Sequence, residues 1–153
     1  MPDHVTTQLR NAIKAALETI PGFESGRVFI SREWKFNSDE LHAINIMSGP
    51  EMLKIEAAKM AQPNLQRRRV QNFIMIIDKA TDDLDNVLDA VKLPVENKIL
   101  STPRFGGLCL NTHLERVEIS AVPGMETEFG VMIMGFVSEV MTREGTAETA
   151  IGG

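Results

Sequence analysis

Five aspartates are, by residue type, the best candidates for metal binding or acid–base chemistry in this sequence: Asp78, Asp82, Asp83, Asp85 and Asp89. The run 81–85 predicts the start of a helix, because acidic residues in a first turn favour the positive end of the helix dipole. On that helix Asp82, Asp85 and Asp89 lie opposite an apolar stripe, and no histidine is near in sequence to complete a ligand set. We therefore expect a solvated helix face here rather than a metal site.

The other reactive side chains form no recognisable constellation either. The three histidines have no pairing at metal-ligand spacing; they are His4, His42 and His113. Cys109 is the only cysteine, which excludes an internal disulfide and a Cys-rich zinc site. No serine lies in the tight elbow motif of hydrolases. The sequence thus predicts no catalytic residue, no metal and no cofactor, and the chain is not expected to be an enzyme.

Positive charge is concentrated at one point, in the run Arg67, Arg68 and Arg69. Neighbouring side chains on a strand point to opposite faces, so Arg67 and Arg69 are expected on one face and Arg68 on the other. A flat three-arginine grip on DNA is therefore not expected. Contact with phosphate, contact with an acidic partner and plain solvation all remain open for this run.

The composition is that of one globular domain without a general affinity for nucleic acid. The chain has 153 residues, of which 43% are hydrophobic and 24% charged, and its net charge is −5. Residues 1–76 carry 10 Lys and Arg against 8 Asp and Glu, whereas residues 77–153 carry 6 against 13. This polarity suits a protein that stacks between two different partners, and uneven solubilising charge explains it equally well. No apolar run is long enough for a membrane span, so we expect a soluble protein that is not exported.

The first half of the chain predicts a helix followed by two strands. Apolar residues recur at steps of three and four from Val5 to Ile20, with Asp3 or Thr6 as N-cap, and Pro21 followed by Gly22 ends the helix. The segments 27–32 and 41–47 have the composition and alternation of strands. The stretch 51–64 is ambiguous, because a short helix and a strand followed by an arm fit it equally well.

The second half predicts a strand, a helix and a closing hairpin. The strand 67–78 is apolar on both faces and must be covered on both sides. A helix with an inner stripe beginning at Leu84 is expected to end at Lys92 and Pro94, with a further turn around 95–100. The runs 114–122 and 129–142 predict a long antiparallel hairpin.

These elements predict an α+β fold, a mostly antiparallel sheet with the two main helices packed on one face and a long β-hairpin that closes the chain. Residues 1–143 are expected to form a single domain. Residues 144–153 are small and polar and are expected to be a flexible C-terminal tail.

The last strand is apolar on both of its faces, and this suggests a subunit interface. If Val131, Ile133 and Val137 pack on the helices, the other face must be covered by something else. The residues on that other face, and the candidate interface with a neighbouring subunit, are Met132, Met134 and Phe136.

The pattern resembles the tail terminator family of long-tailed phages, of the lambda minor tail protein U type, over nearly the whole chain. The resemblance rests on the N-terminal helix with its Pro21-Gly22 stop, the strand from Arg27 to Ile30, and the strand that leads into the Ser48-Gly49-Pro50-Glu51 segment. It also includes the two-faced strand, the acidic helix and the closing hairpin, whose last strand runs into 142–145. Family members commonly have an aromatic residue before the threonine there, where this chain has Met141.

This resemblance implies a virion structural protein, the tail terminator of a siphophage. It would form a hexameric ring at the head-proximal end of the tail. The ring would sit on the finished tube, halt its polymerisation and present the surface for head–tail joining. Its implied partners are copies of itself, the tail tube protein and a head–tail neck protein, with DNA only passing through the lumen and no membrane involved. Assembly would take place in the host cytoplasm. Another neck or tail-tube protein is the alternative within virions, and a small-ligand-binding or hydrolytic α+β enzyme is the alternative from another class.

Overall fold

The computed structural model describes residues 3–24, 26–32, 42–57, 64–79, 83–123 and 128–151. These ranges contain two helices and five strands, with a short 3-10 turn at Phe105–Gly107. In chain order they are α1 (Val5–Leu17), β1 (Val28–Ile30), β2 (Ala43–Ala57), β3 (Leu65–Lys79), α2 (Leu84–Ser101), β4 (Asn111–Pro123) and β5 (Glu128–Arg143). This is the predicted α+β fold.

The five strands form one sheet in the order β1-β2-β3-β5-β4. Every neighbouring pair is antiparallel except β1 with β2, which is parallel. Consecutive strands β4 and β5 form the predicted closing hairpin. Since β5 also pairs with β3, the last strand lies inside the sheet and β4 forms its edge.

Both helices cover the same face of the sheet. Helix α1 buries one residue per turn and so does α2; these residues are Val5, Leu9, Ile13 and Leu17, and Leu88, Val91, Val95 and Ile99. They share one hydrophobic core with Ile44 and Ile46 of β2 and with Ile74 and Ile76 of β3. The even-numbered positions of β3 therefore define the helix-covered face, and the odd-numbered positions define what we name the open face.

The helix boundaries differ in detail from the sequence expectation. The N-cap of α1 is His4, whose Nδ1 accepts a hydrogen bond from the Thr6 backbone N–H at 3.1 Å, where Asp3 or Thr6 was expected. The helix was expected to run to Ile20 and to be stopped by Pro21, but it ends at Leu17 with Glu18 as C-cap. Gly22, with a φ of 95°, lies in the turn that follows.

Helix α2 does not end at Pro94 as predicted but continues to Ser101. Proline cannot donate the next hydrogen bond in the ladder, which usually stops a helix. Here the buried stripe continues through it, because Val91 precedes Pro94 and Val95 and Ile99 follow it at helical spacing. Burial of that stripe outweighs one lost hydrogen bond.

The predicted faces of β5 are reversed. Met132, Met134 and Phe136 are 0%, 0% and 1% exposed, and they belong to the core under the helices. Val131 lies instead on the open face, in a small cluster with Ala43 and Ile77. The expectation was wrong because both faces of β5 are apolar, so the alternation of β5 alone does not choose between them.

The ambiguous stretch is a strand. Strand β2 passes through a register irregularity between Ser48 and Glu51 and continues to Ala57, still paired with β3. The helix alternative is therefore wrong for residues 51–57, and residues 58–63 of the predicted arm lie outside the described part of the chain.

The predicted tail folds back on the domain as far as residue 151. The Val5 N–H donates to the Ala147 carbonyl at 2.9 Å, and the Ile151 N–H donates to the Met141 carbonyl at 2.8 Å. Ala150 packs against the core. The bond from Val5 to Ala147 gives the first turn of α1 an acceptor that the helix itself lacks. The tail is thus held by backbone hydrogen bonds, which its small, polar side chains do not predict.

Candidate assembly surfaces

The three predicted interface residues are not at a surface. Met132, Met134 and Phe136 face the helices, and the β5 register places Met134 beside Ile74 of β3 and Val117 of β4. Their role in the described subunit is core packing. Any surface that meets a neighbour must be sought elsewhere.

The arginine run alternates across the sheet as predicted, and each member has a carboxylate partner. Arg68 is 8% exposed; its Nη1 lies 2.7 Å from Glu51 Oε1 and its Nε donates to Thr142 Oγ1 at 3.0 Å. Arg67 on the opposite face lies 2.8 Å from Glu139, and Arg69 pairs with Glu115.

These ion pairs connect the beginning of β3 to β2, β4 and β5. A phosphate or an acidic partner that approached the run would meet the carboxylates as well as the guanidinium groups, which weakens its attraction. The sequence left phosphate contact, an acidic partner and plain solvation open for this run. The structure adds a fourth role, because the three arginines form internal ion pairs that hold strands together.

The open face has an apolar centre. Ala43, Ile77 and Val131 are buried there, and Phe29, Met75 and Ile133 are half-buried around them. Next to this centre the Phe73 ring lies across the sheet over two glycines, since a methyl group at Gly49 would be 2.8 Å from Phe73 Cε2 and one at Gly135 would be 3.5 Å from Phe73 Cε1. The two glycines allow the ring to lie close to the backbone of the neighbouring strands.

Among the described residues, three of the five exposed large apolar residues lie on the far part of the β2–β3 ladder, which we name the arm and define as residues 51–57 of β2 with 65–69 of β3. Met52, Leu53 and Ile55 are 65%, 55% and 53% exposed, although they are paired in the sheet. Met52 stands opposite Arg69 on the open face and Leu53 opposite Arg68 on the other. The arm therefore presents large apolar groups on both of its faces.

Two other large apolar residues are exposed among the described residues. Leu93 on α2 is 63% exposed and Ile119 on the edge strand β4 is 45% exposed. The sequence suggested an arm within 51–64 whose conformation a partner settles, but it named none of these five residues as interface residues.

A shallow groove of about 390 Å³ separates the end of α1 from the second half of α2. Its walls are Thr19, Ile20 and Pro21 on the α1 side, and Pro94, Asn97, Lys98 and Ser101 on the α2 side. Leu93 lies one helical turn before Asn97 on α2.

The side chains considered for chemistry take structural positions. His42 Nδ1 lies 2.6 Å from Asp78 Oδ2, and its ring packs beside Phe23 with centroids 5.9 Å apart. His4 caps α1, and His113 is exposed on β4. Asp85 and Asp89 are exposed as expected for a solvated helix face, while Asp82 lies outside the described residues.

Cys109 is buried beneath the helices. Its thiol donates to the Pro103 carbonyl at 3.1 Å and lies 3.4 Å from Thr112 Oγ1. Burial raises the pKa of the Cys109 thiol, and hydrogen bonds from Thr112 and Ser138 offset only part of that increase. A thiol with a raised pKa is a poor nucleophile at neutral pH.

Across the described ranges, no three His, Cys, Asp or Glu side chains gather as they would around a metal ion. Within the same ranges, neither helix has the length and apolar character needed to cross a membrane.

Comparison with known proteins finds likenesses among solved structures. No protein-family model matches the chain, and no curated protein matches it. Among solved structures, a chain of the "Virion of native gene transfer agent (GTA) particle" is similar over 91% of this chain and 92% of that chain, with 16% sequence identity and a TM-score of 0.48. A likeness at this level identifies neither a family nor a role.

Proposed function

We propose that this chain is a structural subunit of a phage virion, and more specifically a tail terminator. In this role six copies form a ring on the end of the tail tube, stop its polymerisation and present the surface that joins the head. The tube protein and a neck protein are its partners, and DNA passes through the lumen without sequence-specific contact. The site of action is the head-proximal end of the tail, and assembly takes place in the host cytoplasm.

The observation that carries the proposal is the arm. Met52, Leu53 and Ile55 each leave more than half of their surface in water. Covering what is exposed would contribute roughly 1–2 kcal/mol for each side chain. Clustered apolar groups on an extended ladder are typical of a surface that is completed by another chain.

The terminator role itself is supported by the sequence resemblance described above. Among the described residues no three potential metal ligands gather, and this does not choose between structural roles. A tube or neck protein would use the same kind of subunit contact. Assembly behaviour therefore separates the candidates better than chemistry does.

The test is the assembly state of the purified protein. We expect light scattering after size exclusion to give a mass of about six subunits at raised protein concentration, and negative-stain images to show rings. Added to polymerising tail tube protein, the ring should shorten the tubes and cap one end. Long tubes formed by this chain alone would instead indicate a tube protein, and a monomer that leaves tube growth unchanged would overturn the proposal.

A matched pair of variants tests the arm. Leu53→Ser should lower the mass of the assembly at a given concentration, whereas Leu93→Ser removes a similarly exposed leucine from α2 and should leave it unchanged. Both should remain folded by circular dichroism.

A further inference from the structure

We propose that neighbouring subunits join edge to edge, with the outer edge of β4 in one copy pairing antiparallel to the outer edge of the arm strand β2 in the next. This inference rests on the proposed function, because it specifies how the subunits of the ring meet. It assigns one register to the contact, in which Leu53 of one copy lies opposite Ile119 of the other.

The sheet has two unpaired edges within the described part of the chain. Strand β4 forms one edge along 111–123. On the other side β1 covers β2 only at 44–46, so residues 51–57 form a second edge. No described backbone group pairs with the outer side of either segment. The N–H and C=O groups of such edges are a template for a further strand.

The two edges have the polarity needed to meet in subunits of the same orientation. Each of the pairs β2 with β3, β3 with β5 and β5 with β4 is antiparallel, so β2 and β4 run in opposite directions. A second copy placed beside the first in the same orientation therefore presents its β2 antiparallel to β4. The helices of both copies then lie on the same side. This contact is heterologous, and it leaves no free edge if it closes into a ring.

The exposed apolar residues are concentrated on these two edges. Four of the five that are exposed among the described residues lie there: Met52, Leu53, Ile55 and Ile119. Leu53 and Ile55 share the helix-covered side of β2, since they lie opposite even-numbered positions of β3. On β4 the same side carries Val117 and Ile119, which pair with two core methionines of β5. The apolar positions of the two edges thus lie on the same side of a continued sheet.

One register satisfies both sides of the two strands. With Leu53 opposite Ile119, Ile55 lies opposite Val117, and Lys54 lies opposite Glu118. Lys54 and Glu118 are both exposed and both lie on the open face. Facing apolar pairs and facing opposite charges each stabilise an antiparallel contact. Within its own chain Glu118 also lies 3.1 Å from Arg116, but this pair is more than half exposed and contributes little.

The neighbouring registers are less favourable. A shift of two residues in one direction places Lys54 opposite Arg116, a like charge, which destabilises a facing pair. The same shift in the other direction places Lys54 opposite Ser120, which carries no charge. A shift of one residue sets the helix-covered side of one strand against the open face of the other.

The register also suits a closed ring. Within one subunit Ile119 is level with Ile76 of β3, and Leu53 is level with Arg68. The two levels are eight residues apart on β3, which is about 26 Å along a strand. The five strands span about 24 Å across the sheet. Adjacent copies are then level when the strands tilt by roughly 45° from the ring axis, which is close to the tilt of closed sheets.

Charge reversal tests the register. Lys54→Glu and Glu118→Lys should each raise the concentration needed for half-maximal assembly by at least about threefold, because a pair of opposite charges becomes a pair of like charges. The double variant Lys54→Glu/Glu118→Lys should recover assembly, and so should an equal mixture of the two single variants. The control Lys54→Glu/Asp89→Lys, with the second change on the exposed side of α2, has the same net charge and should not recover it.

Disulfide formation tests the contact itself. In the double variant Leu53→Cys/Ile119→Cys the thiols face each other, and facing Cα atoms of antiparallel strands lie about 4.5–5.5 Å apart, within the span of a disulfide. Mild oxidation should give a ladder of linked subunits on non-reducing gels that ends at the ring number seen by microscopy. The control Leu93→Cys/Ile119→Cys should give no ladder, and the native Cys109 is 1% exposed and does not interfere.

Each result has a distinct meaning. Rings by microscopy with neither a ladder nor recovery in the double charge variant would overturn the edge contact and leave the proposed function standing. Linked dimers from Ile119→Cys alone would indicate two-fold pairing of β4 with β4 and would overturn the contact. A ladder without limit, with filaments in the images, would support the contact and overturn the ring. Monomers of the parent protein at every concentration would overturn both.

Discussion

The ladder of β2 and β3 has two halves that both contain large aliphatic residues but have opposite surroundings. In the first half Ile44, Ile46 and Ile74 are 0% exposed under the helices. Beyond the irregularity at Ser48, the arm continues the same ladder, yet Leu53 and Ile55 remain more than half exposed. The difference teaches that apolar content alone does not decide burial in this fold; coverage by α1 and α2 does. One half stabilises the subunit and the other is available to a neighbour.

The largest expected effect is loss of the fold when a charge is placed in the core under the helices. Met134 is 0% exposed, so Met134→Asp puts a carboxylate in the core without a partner, which costs several kcal/mol. We expect an unfolded or aggregated protein by circular dichroism and solubility. Leu53→Asp on the arm should remain folded with a melting temperature close to that of the parent. A soluble, cooperatively folded Met134→Asp protein would show that the comparison of the two halves is mistaken.

The second prediction compares the ion pairs of two neighbouring arginines in the arm, Arg68 and Arg69. Glu51→Gln removes the carboxylate beside Arg68, which is 8% exposed, and leaves a largely buried guanidinium without its counter-charge. We expect a loss of about 1–3 kcal/mol in the free energy of unfolding. Arg69 is much more exposed than Arg68, so Glu115→Gln, which removes the partner of Arg69, should change that free energy by no more than about 0.5 kcal/mol. Denaturant unfolding of the two variants measures the difference, and equal losses would contradict it.

The sequence allowed the fold class to be predicted because periodicity marks most elements directly. The apolar spacing from Val5 to Leu17 and the alternation in 114–122 each correspond to an element of the structure. The end of α2 was missed because a strong local signal, Pro94, competed with a buried stripe that continues beyond it. Tertiary packing decided the outcome.

The faces of β5 were assigned wrongly, although the neighbouring strand β4 could have corrected the assignment. Strand β5 is apolar on both faces, but β4 alternates clearly, and cross-strand partners share a face. The register pairs Val117 with Met134 and Ile119 with Met132, so the apolar face of β4 points to the same side as the two methionines. The alternation of β4 therefore held the signal that β5 lacked. The arm could not be identified in this way, because its exposure depends on how far the helices reach.

An effect of similar size concerns the close approach of Phe73 to the sheet. Gly49→Ala would place a methyl group 2.8 Å from Phe73 Cε2 and 2.9 Å from Gln71 Cβ, so the ring must move. We expect a loss of about 1–3 kcal/mol in the free energy of unfolding. Gly135→Ala, where the methyl group would lie at an ordinary 3.5 Å from the ring, should cost less. The order of the two midpoints in denaturant checks this, and a reversed order would refute it.

The smallest expected effect is a difference between two thiols, the buried Cys109 and a cysteine introduced on the arm. Burial raises the pKa of Cys109, so the folded protein keeps this group protonated at a pH where an exposed thiol, with a pKa of about 8.5, has begun to ionise. Its contribution to stability is therefore complete below the pKa of the unfolded state and declines as pH rises from that value toward the higher folded pKa.

Iodoacetamide at pH 8 should label Cys109 in the folded protein much more slowly than it labels the arm thiol of Leu53→Cys, and both should react alike in denaturant. Cys109→Ser should remove the part of the alkaline loss of stability that comes from this thiol, whereas equal labelling rates in the folded protein would place Cys109 at the surface.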